Sequence, residues 1–312
     1  MKSAFIFPGQ GSQSVGMLAA AAEQWPMIQK TFSEASQVLG YDLWHLCQHG
    51  PEEELNQTTV TQPALLTASV ALWRQWFMAD GRQPDMVAGH SLGEYTALVA
   101  AESLNFLDAV KLVRLRGELM QTAVPAGEGR MAAILGLDDQ QVIDACREAA
   151  GDQVVSAVNF NAPGQVVIAG NAAAVERAIE ACKAAGARKA MPLPVSVPSH
   201  CALMKGAAKE LATALDEVRF NDAVIPVVQN VSATAEKSRD VLKANLVKQL
   251  YSPVRWTDCV QALVAEGVGQ AVECGPGKVL AGLVKRIDRS LPVHNLETPD
   301  AMKQTLDELG KA

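Results

Sequence analysis

The chain has 312 residues, of which 49% are hydrophobic and 20% are charged, and its formal net charge is −7 at pH 7. This composition predicts a globular protein with one large core and a smaller inserted or appended domain. The negative charge argues against a broad nucleic-acid surface. The six cysteines show no Cys-x-x-Cys spacing, which favours reduced thiols. No signal peptide or membrane-length apolar run occurs, so we expect a cytoplasmic protein without membrane contact.

The first predicted element is a short buried strand at residues 3–7. A Gly-rich sequence, Pro-Gly-Gln-Gly-Ser-Gln, follows at residues 8–13 and leads towards a predicted helix. It lacks the lysine of a phosphate-binding loop and the third spaced glycine of a dinucleotide fingerprint. We therefore expect this turn to contribute a backbone N–H group to an oxyanion hole.

The next predicted elements are helices at residues 27–39 and 61–79. Gln62 and Pro63 open the second helix, because proline is favoured in the first turn. His45 and His49 lie between the helices without a nearby carboxylate or cysteine pattern. A solvated or packing role is therefore favoured over a metal site, and no metal is expected.

Residues 86–95, Met-Val-Ala-Gly-His-Ser-Leu-Gly-Glu-Tyr, combine an apolar strand, a Gly-x-Ser-x-Gly sequence and the start of an Ala- and Leu-rich helix. This pattern is typical of a nucleophile elbow, a sharp turn that exposes a serine at the top of a sheet. Gly89 and Gly93 suit such a turn because a side chain at either position would collide. Gly-x-Ser-x-Gly also occurs by chance, but the flanking strand and helix favour Ser91 as a nucleophile.

Residues 104–121 predict a helix with an apolar stripe and an opposite, charged face. Arg116 falls beside the apolar stripe, where an unpaired guanidinium would be costly to bury. Its partner can be an internal carboxylate, such as that of Glu94, or the carboxylate of a substrate. The residues alone leave these two possibilities equal.

The pattern changes between residues 129 and 195, where it predicts a strand, a helix, two strands, a helix and a strand. The two central strands, at 154–159 and 165–169, are joined around Asn-Ala-Pro-Gly at 161–164. The resulting βαββαβ order is that of a ferredoxin-like domain.

We expect this small domain to comprise residues 126–196. It would be inserted into a large α/β domain formed by residues 1–125 and 197–312. The segment 122–128, which contains a proline and a glycine and is followed by a second glycine at position 129, is expected to be a hinge.

His200 follows an extended segment with two prolines, and a helix is predicted to begin near Cys201. A helix N-terminus disfavours a protonated imidazole, so His200 should be neutral and able to accept a proton. A histidine that merely caps the helix at the surface is the alternative. No acidic residue has a spacing that marks it as the third member of a triad.

Several of these sequences occur in the same order in acyl-CoA:carrier-protein acyltransferases, and the chain resembles this family over essentially its whole length. Within the family, the match is to the bacterial branch that transfers malonyl groups. The segment 231–245 matches no motif, and we expect it to be variable surface. The motifs that carry the resemblance are Phe-Pro-Gly-Gln-Gly-Ser-Gln at 7–13, Gly-His-Ser-Leu-Gly-Glu-Tyr at 89–95, Arg116, Pro-Ser-His at 198–200 and Gly-Pro-Gly at 275–277.

The resemblance implies a role for each site residue. Ser91 would take a malonyl group from malonyl-CoA as an ester, and His200 would be its base. A main-chain carbonyl near Gln249 would orient the histidine in place of an aspartate, and Arg116 would bind the malonyl carboxylate. The backbone N–H groups of Gln10 and Leu92 would form the oxyanion hole, and Gln62 and Asn161 are possible substrate contacts.

The resemblance also implies an α/β-hydrolase-like parallel-sheet domain with a ferredoxin-like insertion. The acceptor would be the phosphopantetheine thiol of acyl carrier protein, as in fatty-acid biosynthesis. No metal or bound cofactor would be needed, because the coenzyme A thioester is itself a substrate. A ping-pong reaction through one serine ester would suit both half-reactions.

Two other functions are compatible with parts of the pattern. A serine hydrolase or thioesterase could use the same elbow, although such enzymes usually have the order serine, acid, histidine, with the histidine late in the chain. A non-catalytic scaffold for carrier proteins would not need Ser91, His200 and Arg116 together. Incubation with malonyl-CoA, with and without a thiol acceptor, separates these functions.

Overall fold

The computed structural model describes residues 1–195 and 197–310. Residue 196, where the predicted small domain ends, and residues 311 and 312 lie outside the described residues. Within them, ten strands form two sheets. The strands are β1 (Lys2–Phe7), β2 (Met86–Gly89), β3 (Gly129–Leu135), β4 (Val155–Ala162), β5 (Gln165–Asn171), β6 (Lys189–Pro192), β7 (Val227–Val228), β8 (Ala235–Glu236), β9 (Val268–Glu273) and β10 (Val293–Asn295).

Fourteen α-helices connect and cover the strands of the described residues. They are α1 (Ala19–Gln24), α2 (Pro26–Leu39), α3 (Leu43–His49), α4 (Glu52–Leu55), α5 (Thr58–Met78), α6 (Gly93–Ala100), α7 (Phe106–Thr122), α8 (Asp139–Ala150), α9 (Ala172–Ala184), α10 (Lys205–Asp216), α11 (Arg239–Gln249), α12 (Trp256–Ala265), α13 (Val279–Ile287) and α14 (Pro299–Leu309).

The larger sheet has the strand order β10–β9–β1–β2–β7–β8, and its neighbouring strands are parallel except for β7 with β8. Residues 4–7 of its central strand β1 are apolar and buried, as expected for a strand that is covered on both faces. Phe5 and Phe7 enter one hydrophobic cluster, whereas Ala4 and Ile6 enter the cluster on the opposite face. The mixed α/β fold with a parallel sheet, as predicted, is confirmed.

The smaller sheet has the order β4–β5–β3–β6 with antiparallel neighbours, and its chain order is the predicted βαββαβ. Residues of α8 and α9 share a hydrophobic cluster with one face of this sheet. At the β4 edge, the N–H group of Val254 donates to Val158 O at 2.8 Å, and that of Phe160 donates to Val254 O at 3.0 Å. This sheet is therefore bonded to the segment before α12. The division into two domains and the hinge stay predictions.

Two predicted helix starts are wrong. Helix α5 begins at Thr58, so Pro63 lies inside the helix rather than in its first turn. Residues 60–72 of this helix are buried without a break, and this packing compensates for the one backbone bond that Pro63 cannot donate. After His200, a 3₁₀ turn at Ala202–Met204 precedes α10, which begins only at Lys205. Cys201, the residue after His200, has an extended backbone with φ −125° and ψ 175°, so no helix begins there.

Two other segments also differ from expectation. Strand β6 ends at Pro192, earlier than predicted, and the next proline, Pro194, lacks an N–H group to extend the ladder. The expectation that residues 231–245 are surface is wrong for the inner face of α11, where Leu242 and Asn245 are buried.

No helix within residues 1–195 and 197–310 is both long enough and apolar enough to cross a membrane.

Helix α7 approaches α5 closely at Gly117, and this contact provides a test of the packing that places Arg116. A Cβ atom at Gly117 would lie 2.8 Å from Thr58 O and 2.9 Å from Thr59 Cα. We expect Gly117→Ala to cost about 1–3 kcal/mol through overpacking, seen as a lower melting temperature. Gly282→Ala is the matched control, since a Cβ there meets no atom within 4 Å and should stabilise α13 by about 0.5–1 kcal/mol. Equal melting shifts for the two variants would contradict the close approach.

Candidate active site

The turn between β2 and α6 has the geometry of a nucleophile elbow. Ser91 has a φ of 50°, a left-handed conformation that costs a non-glycine residue on the order of 1–3 kcal/mol. A Cβ atom at Gly89 would lie 1.9 Å from the carbonyl carbon of Gly93, and one at Gly93 would lie 2.0 Å from Phe7 O. Both glycines are therefore required by the close approach of the backbone.

Ser91 and His200 lie in direct contact although 109 residues separate them. Ser91 Oγ is 2.8 Å from His200 Nε2, and His200 Nδ1 is 2.7 Å from the carbonyl oxygen of Gln249. A carbonyl can only accept a hydrogen bond, so Nδ1 carries the proton and Nε2 is free to accept the proton of Ser91. The carbonyl of Gln249 thus occupies the place that a carboxylate has in a Ser-His-Asp triad.

His200 is buried, and its burial keeps the imidazole ring neutral. Burial is the main cause that lowers its pKa to about 3, the positive charge of Arg116 lowers it further, and the bond to Gln249 O opposes both. The sequence predicted a neutral histidine, but it attributed neutrality to a helix N-terminus. Because α10 starts only at Lys205, desolvation replaces that explanation.

Arg116 is 1% exposed and points towards the nucleophile. Its Nη2 donates to Ser91 Oγ at 3.2 Å and to Gln249 Oε1 at 3.0 Å, and its Nη1 donates to Gln62 Oε1 at 2.8 Å. The guanidinium also lies 5.5 Å from the centre of the Tyr95 ring. All of its hydrogen-bond acceptors among the described residues are neutral.

Glu94, the internal carboxylate considered for Arg116, has other partners. Its Oε2 accepts the N–H group of Asn230 at 2.7 Å, and its Oε1 accepts Gln229 Nε2 at 3.4 Å. Burial raises the pKa of Glu94 to about 7, whereas these bonds and the more distant Arg116 lower it. The structure therefore gives Arg116 no direct ion pair with Glu94.

A cavity of about 120 Å³ adjoins Ser91. Its walls come from the elbow, from the Gly-rich turn after β1, from α7, from the small sheet and from the segment leading to His200. The lining residues are Gln10, His90, Ser91, Leu92, Arg116, Met120, Met131, Asn159, Val167, Leu193, Val195, Ser199 and His200.

Gln10 and Leu92 both lie at this cavity. Neither backbone N–H group donates a hydrogen bond to another described residue. Two free amides beside a serine hydroxyl can bind the oxyanion of a tetrahedral intermediate. Their role as an oxyanion hole, expected from the sequence, stays a proposal.

The two possible substrate contacts occupy different places. Gln62 is buried behind Arg116 and holds its Nη1. Asn161 does not line the cavity: its Oδ1 accepts His90 Nε2 at 2.7 Å, and burial lowers the pKa of that histidine. The cavity is lined instead by Asn159, two residues earlier in β4, and the register of β4 shifts between Phe160 and Ala162.

Sequence reasoning missed Asn230 and the side chain of Gln249. Asn230 Oδ1 accepts the N–H group of Ser91 at 2.8 Å, and Gln249 Nε2 donates to the Ser91 carbonyl at 2.9 Å. The available signal was the pair Gln229–Asn230 directly after the apolar strand β7. Polar residues at the carboxyl end of a parallel strand commonly face a ligand site.

The histidine pair of α3 is remote from the described site. The rings of His45 and His49 lie 4.6 Å apart. Among the described residues, no group of three or more histidine, cysteine, aspartate or glutamate side chains is arranged to hold a metal ion.

A serine in a strained turn, in contact with a neutral histidine and beside two free amides, is typical of enzymes that transfer acyl groups through a serine ester. The family model described as "Acyl transferase domain" matches residues 4–304. This chain therefore belongs to the acyl transferase domain family.

Individual relatives match over nearly the full length. The malonyl CoA-acyl carrier protein transacylase of Escherichia coli (strain K12) is 60% identical over 304 residues, which are 97% of this chain and 98% of that protein. A crystal structure of an acyl carrier protein S-malonyltransferase from Vibrio cholerae superposes with a TM-score of 0.96 at 58% identity, covering 98% of this chain and 100% of that one. A malonyl-transacylase in complex with a type II PKS acyl-carrier protein has a TM-score of 0.97 at 55% identity, covering 99% of this chain and 100% of that one.

The burial of His200 predicts how its imidazole titrates. Because its pKa is lowered to about 3, the ring should stay neutral from pH 8 down to pH 5. Its ¹⁵N chemical shifts, assigned by comparison with His200→Gln, should not change over this range. A protonation midpoint near 6.5, the ordinary pKa of a histidine, would contradict the burial argument.

Proposed function

We propose that this chain transfers a malonyl group from malonyl-CoA to the phosphopantetheine thiol of acyl carrier protein through an ester on Ser91. Near full-length relatives that carry this activity in their names support the proposal. A relative of 55% identity, solved with an acyl-carrier protein, supports that protein as the acceptor.

The observation that carries the proposal is the position of Arg116. A buried guanidinium that contacts neutral acceptors and lies 3.2 Å from the nucleophile favours a substrate with its own carboxylate. Malonyl-CoA carries a carboxylate two carbons from the thioester carbonyl, whereas acetyl-CoA carries none. Gln62 and Gln249 bond the guanidinium, which fixes its orientation.

The first half-reaction forms the ester. Ser91 Oγ attacks the thioester carbonyl while its proton passes to His200 Nε2, and the Nδ1–H group of the resulting imidazolium remains bonded to the Gln249 carbonyl. The backbone N–H groups of Gln10 and Leu92 stabilise the oxyanion. When the intermediate collapses, the carbon–sulfur bond breaks and His200 returns its proton to the coenzyme A thiolate.

The second half-reaction reverses these steps with a different thiol. His200 accepts the proton of the phosphopantetheine thiol, the sulfur attacks the malonyl ester, and Ser91 regains a proton as it leaves. Only an acyl group and a proton are exchanged, so the reaction is balanced without a metal or a further cofactor. The absence of a cofactor and the cytoplasmic location stay predictions.

Mixing the protein with malonyl-CoA tests the proposed intermediate. Intact-protein mass spectrometry should show a single malonyl adduct, and peptide mapping should locate it at Ser91. Ser91→Ala should abolish the adduct because it removes the attacking oxygen. An adduct that persists on Ser91→Ala would contradict the assignment.

The fate of the adduct separates transfer from hydrolysis. With acyl carrier protein present, the malonyl group should appear on its phosphopantetheine thiol as the adduct disappears. Release of free malonate at the same rate with and without the acceptor would indicate a hydrolase instead.

Arg116 should determine which acyl group is accepted. Removing a buried, charge-assisted bidentate contact costs about 2–5 kcal/mol, so Arg116→Ala should lower kcat/KM for malonyl-CoA roughly 30- to several-thousand-fold. Acetyl-CoA should be used as well as before or better, because it does not need the guanidinium.

Arg114→Ala is the matched control for this experiment. Arg114 lies on the same helix but is exposed and paired with Glu118, so its loss should leave both substrates unaffected. Equal losses of malonyl- and acetyl-CoA activity in Arg116→Ala, with a lower melting temperature, would assign Arg116 a purely structural role.

A further inference from the structure

The carboxamide of Asn230 bridges the two sides of the elbow. Its Oδ1 accepts the N–H group of Ser91 at 2.8 Å, and its Nδ2 donates to the carbonyl of Gly89 at 2.7 Å. Asn230 is fully buried and lies 139 residues beyond Ser91 in the chain.

We propose that Asn230 is a positioning residue of the reaction, which holds the strained backbone of Ser91 so that Oγ stays aligned with His200 and the oxyanion amides. This inference rests on the proposed function, because it assigns a part in the same serine chemistry. Asn230 lies behind the turn and acts through Ser91.

Asn230 is itself fixed at both backbone groups. Its N–H group donates to Glu94 Oε2 at 2.7 Å, and its carbonyl accepts the N–H group of Arg255 at 3.1 Å. Glu94 belongs to α6, the helix that follows the elbow. A closed ring of bonds therefore runs from Ser91 through Asn230 to Glu94 and back along the helix.

This ring of hydrogen bonds holds the one strained backbone conformation of the elbow, that of Ser91. The φ of 50° at Ser91 presents Oγ to His200. Without the Asn230 side chain, the N–H group of Ser91 and the carbonyl of Gly89 would lose the hydrogen bonds that they make in this turn. Asn230 satisfies both groups at once, so relaxation of the turn would break two buried hydrogen bonds. Because small misplacements of a reacting atom reduce rates strongly, the alignment of Oγ should depend on this amide.

The substitution Asn230→Asp tests the amide with a side chain of the same shape. A protonated carboxyl group can accept from Ser91 and donate to Gly89, as the amide does. An ionised one has no donor and repels the Gly89 carbonyl. Burial and the neighbouring Glu94 both raise the pKa of the introduced group, so the variant should be most active at low pH and lose activity as pH rises.

Other titratable or charged groups near this position include Arg255, which lies directly before α12 and contacts the Asn230 carbonyl through its N–H group. Glu94 lies on α6, Cys259 on α12, and Arg116 on α7 is one Gln249 side chain away. They are present in the unsubstituted protein as well, so the variant is compared with it at each pH. The ratio of the two rates then isolates the introduced carboxyl group.

The rate of Ser91 labelling by a small neutral fluorophosphonate is the first measurement, because it reports nucleophile alignment without malonyl-CoA. Asn230→Ala, which has no group to bridge the turn, should label roughly 100-fold more slowly at every pH. Asn230→Asp should approach the unsubstituted rate at pH 5.5 and the alanine variant at pH 8.5. The dissociation constant for coenzyme A should stay within about twofold, as expected when positioning alone is lost.

Asn245→Asp and Asn245→Ala are the matched controls. Asn245 is a buried asparagine of the same network, and its Nδ2 donates to Gln229 Oε1 at 2.7 Å without touching the elbow. These variants should lower the melting temperature but change the labelling rate less than threefold, with no new pH dependence. Labelling of the Asn230 variants at the unsubstituted rate, or equal slowing in the Asn245 variants, would overturn the proposal.

The fluorophosphonate assay also separates this inference from the proposed function. If the unsubstituted protein is labelled at Ser91 but forms no malonyl adduct, the proposed substrate is wrong and the role of Asn230 is still tested. If malonyl transfer proceeds and Asn230→Ala matches the unsubstituted rate in both assays, the positioning role alone fails.

Discussion

The buried guanidinium of Arg116 is the constraint on which the site is built. Its position follows from the close packing of α7 on α5 at Gly117, and its orientation follows from two amide side chains on different helices, Gln62 and Gln249. Neutral acceptors orient a charge without cancelling it. The fold thus keeps a positive charge beside a small cavity, where the proposed function places the carboxylate of the substrate.

The same charge explains why a carbonyl suits His200 better than a carboxylate would. A carboxylate in the place of the triad aspartate would lie next to Arg116. It would be attracted to the guanidinium and would compete with the carboxylate of a substrate for that group. The Gln249 carbonyl fixes the tautomer of His200 and adds no net charge. The peptide group and the amide side chain of Gln249 therefore connect His200, Ser91 and Arg116.

Parts of the structure that depend on local pattern were predictable from the sequence. The elbow, the βαββαβ order and the inward side of Arg116 follow from glycine spacing and from hydrophobic periods. Contacts between distant segments were not predictable, and Asn230 reaches Ser91 across 139 residues. Sequence reasoning also selected Asn161, whereas Asn159 lines the cavity, because the register shift of β4 between Phe160 and Ala162 gives no signal in the sequence.

The cavity beside Ser91 takes its walls from a helix and turns of the larger part of the fold and from strands of the smaller sheet. Met120 belongs to α7 of the larger part of the fold, whereas Met131 and Val167 belong to strands of the smaller sheet. Lengthening the acyl chain would press these walls apart, and the two backbone bonds between β4 and Val254 oppose such a separation. How firmly the smaller sheet is held to the segment before α12 therefore bears on the size of acyl group that this cavity can admit.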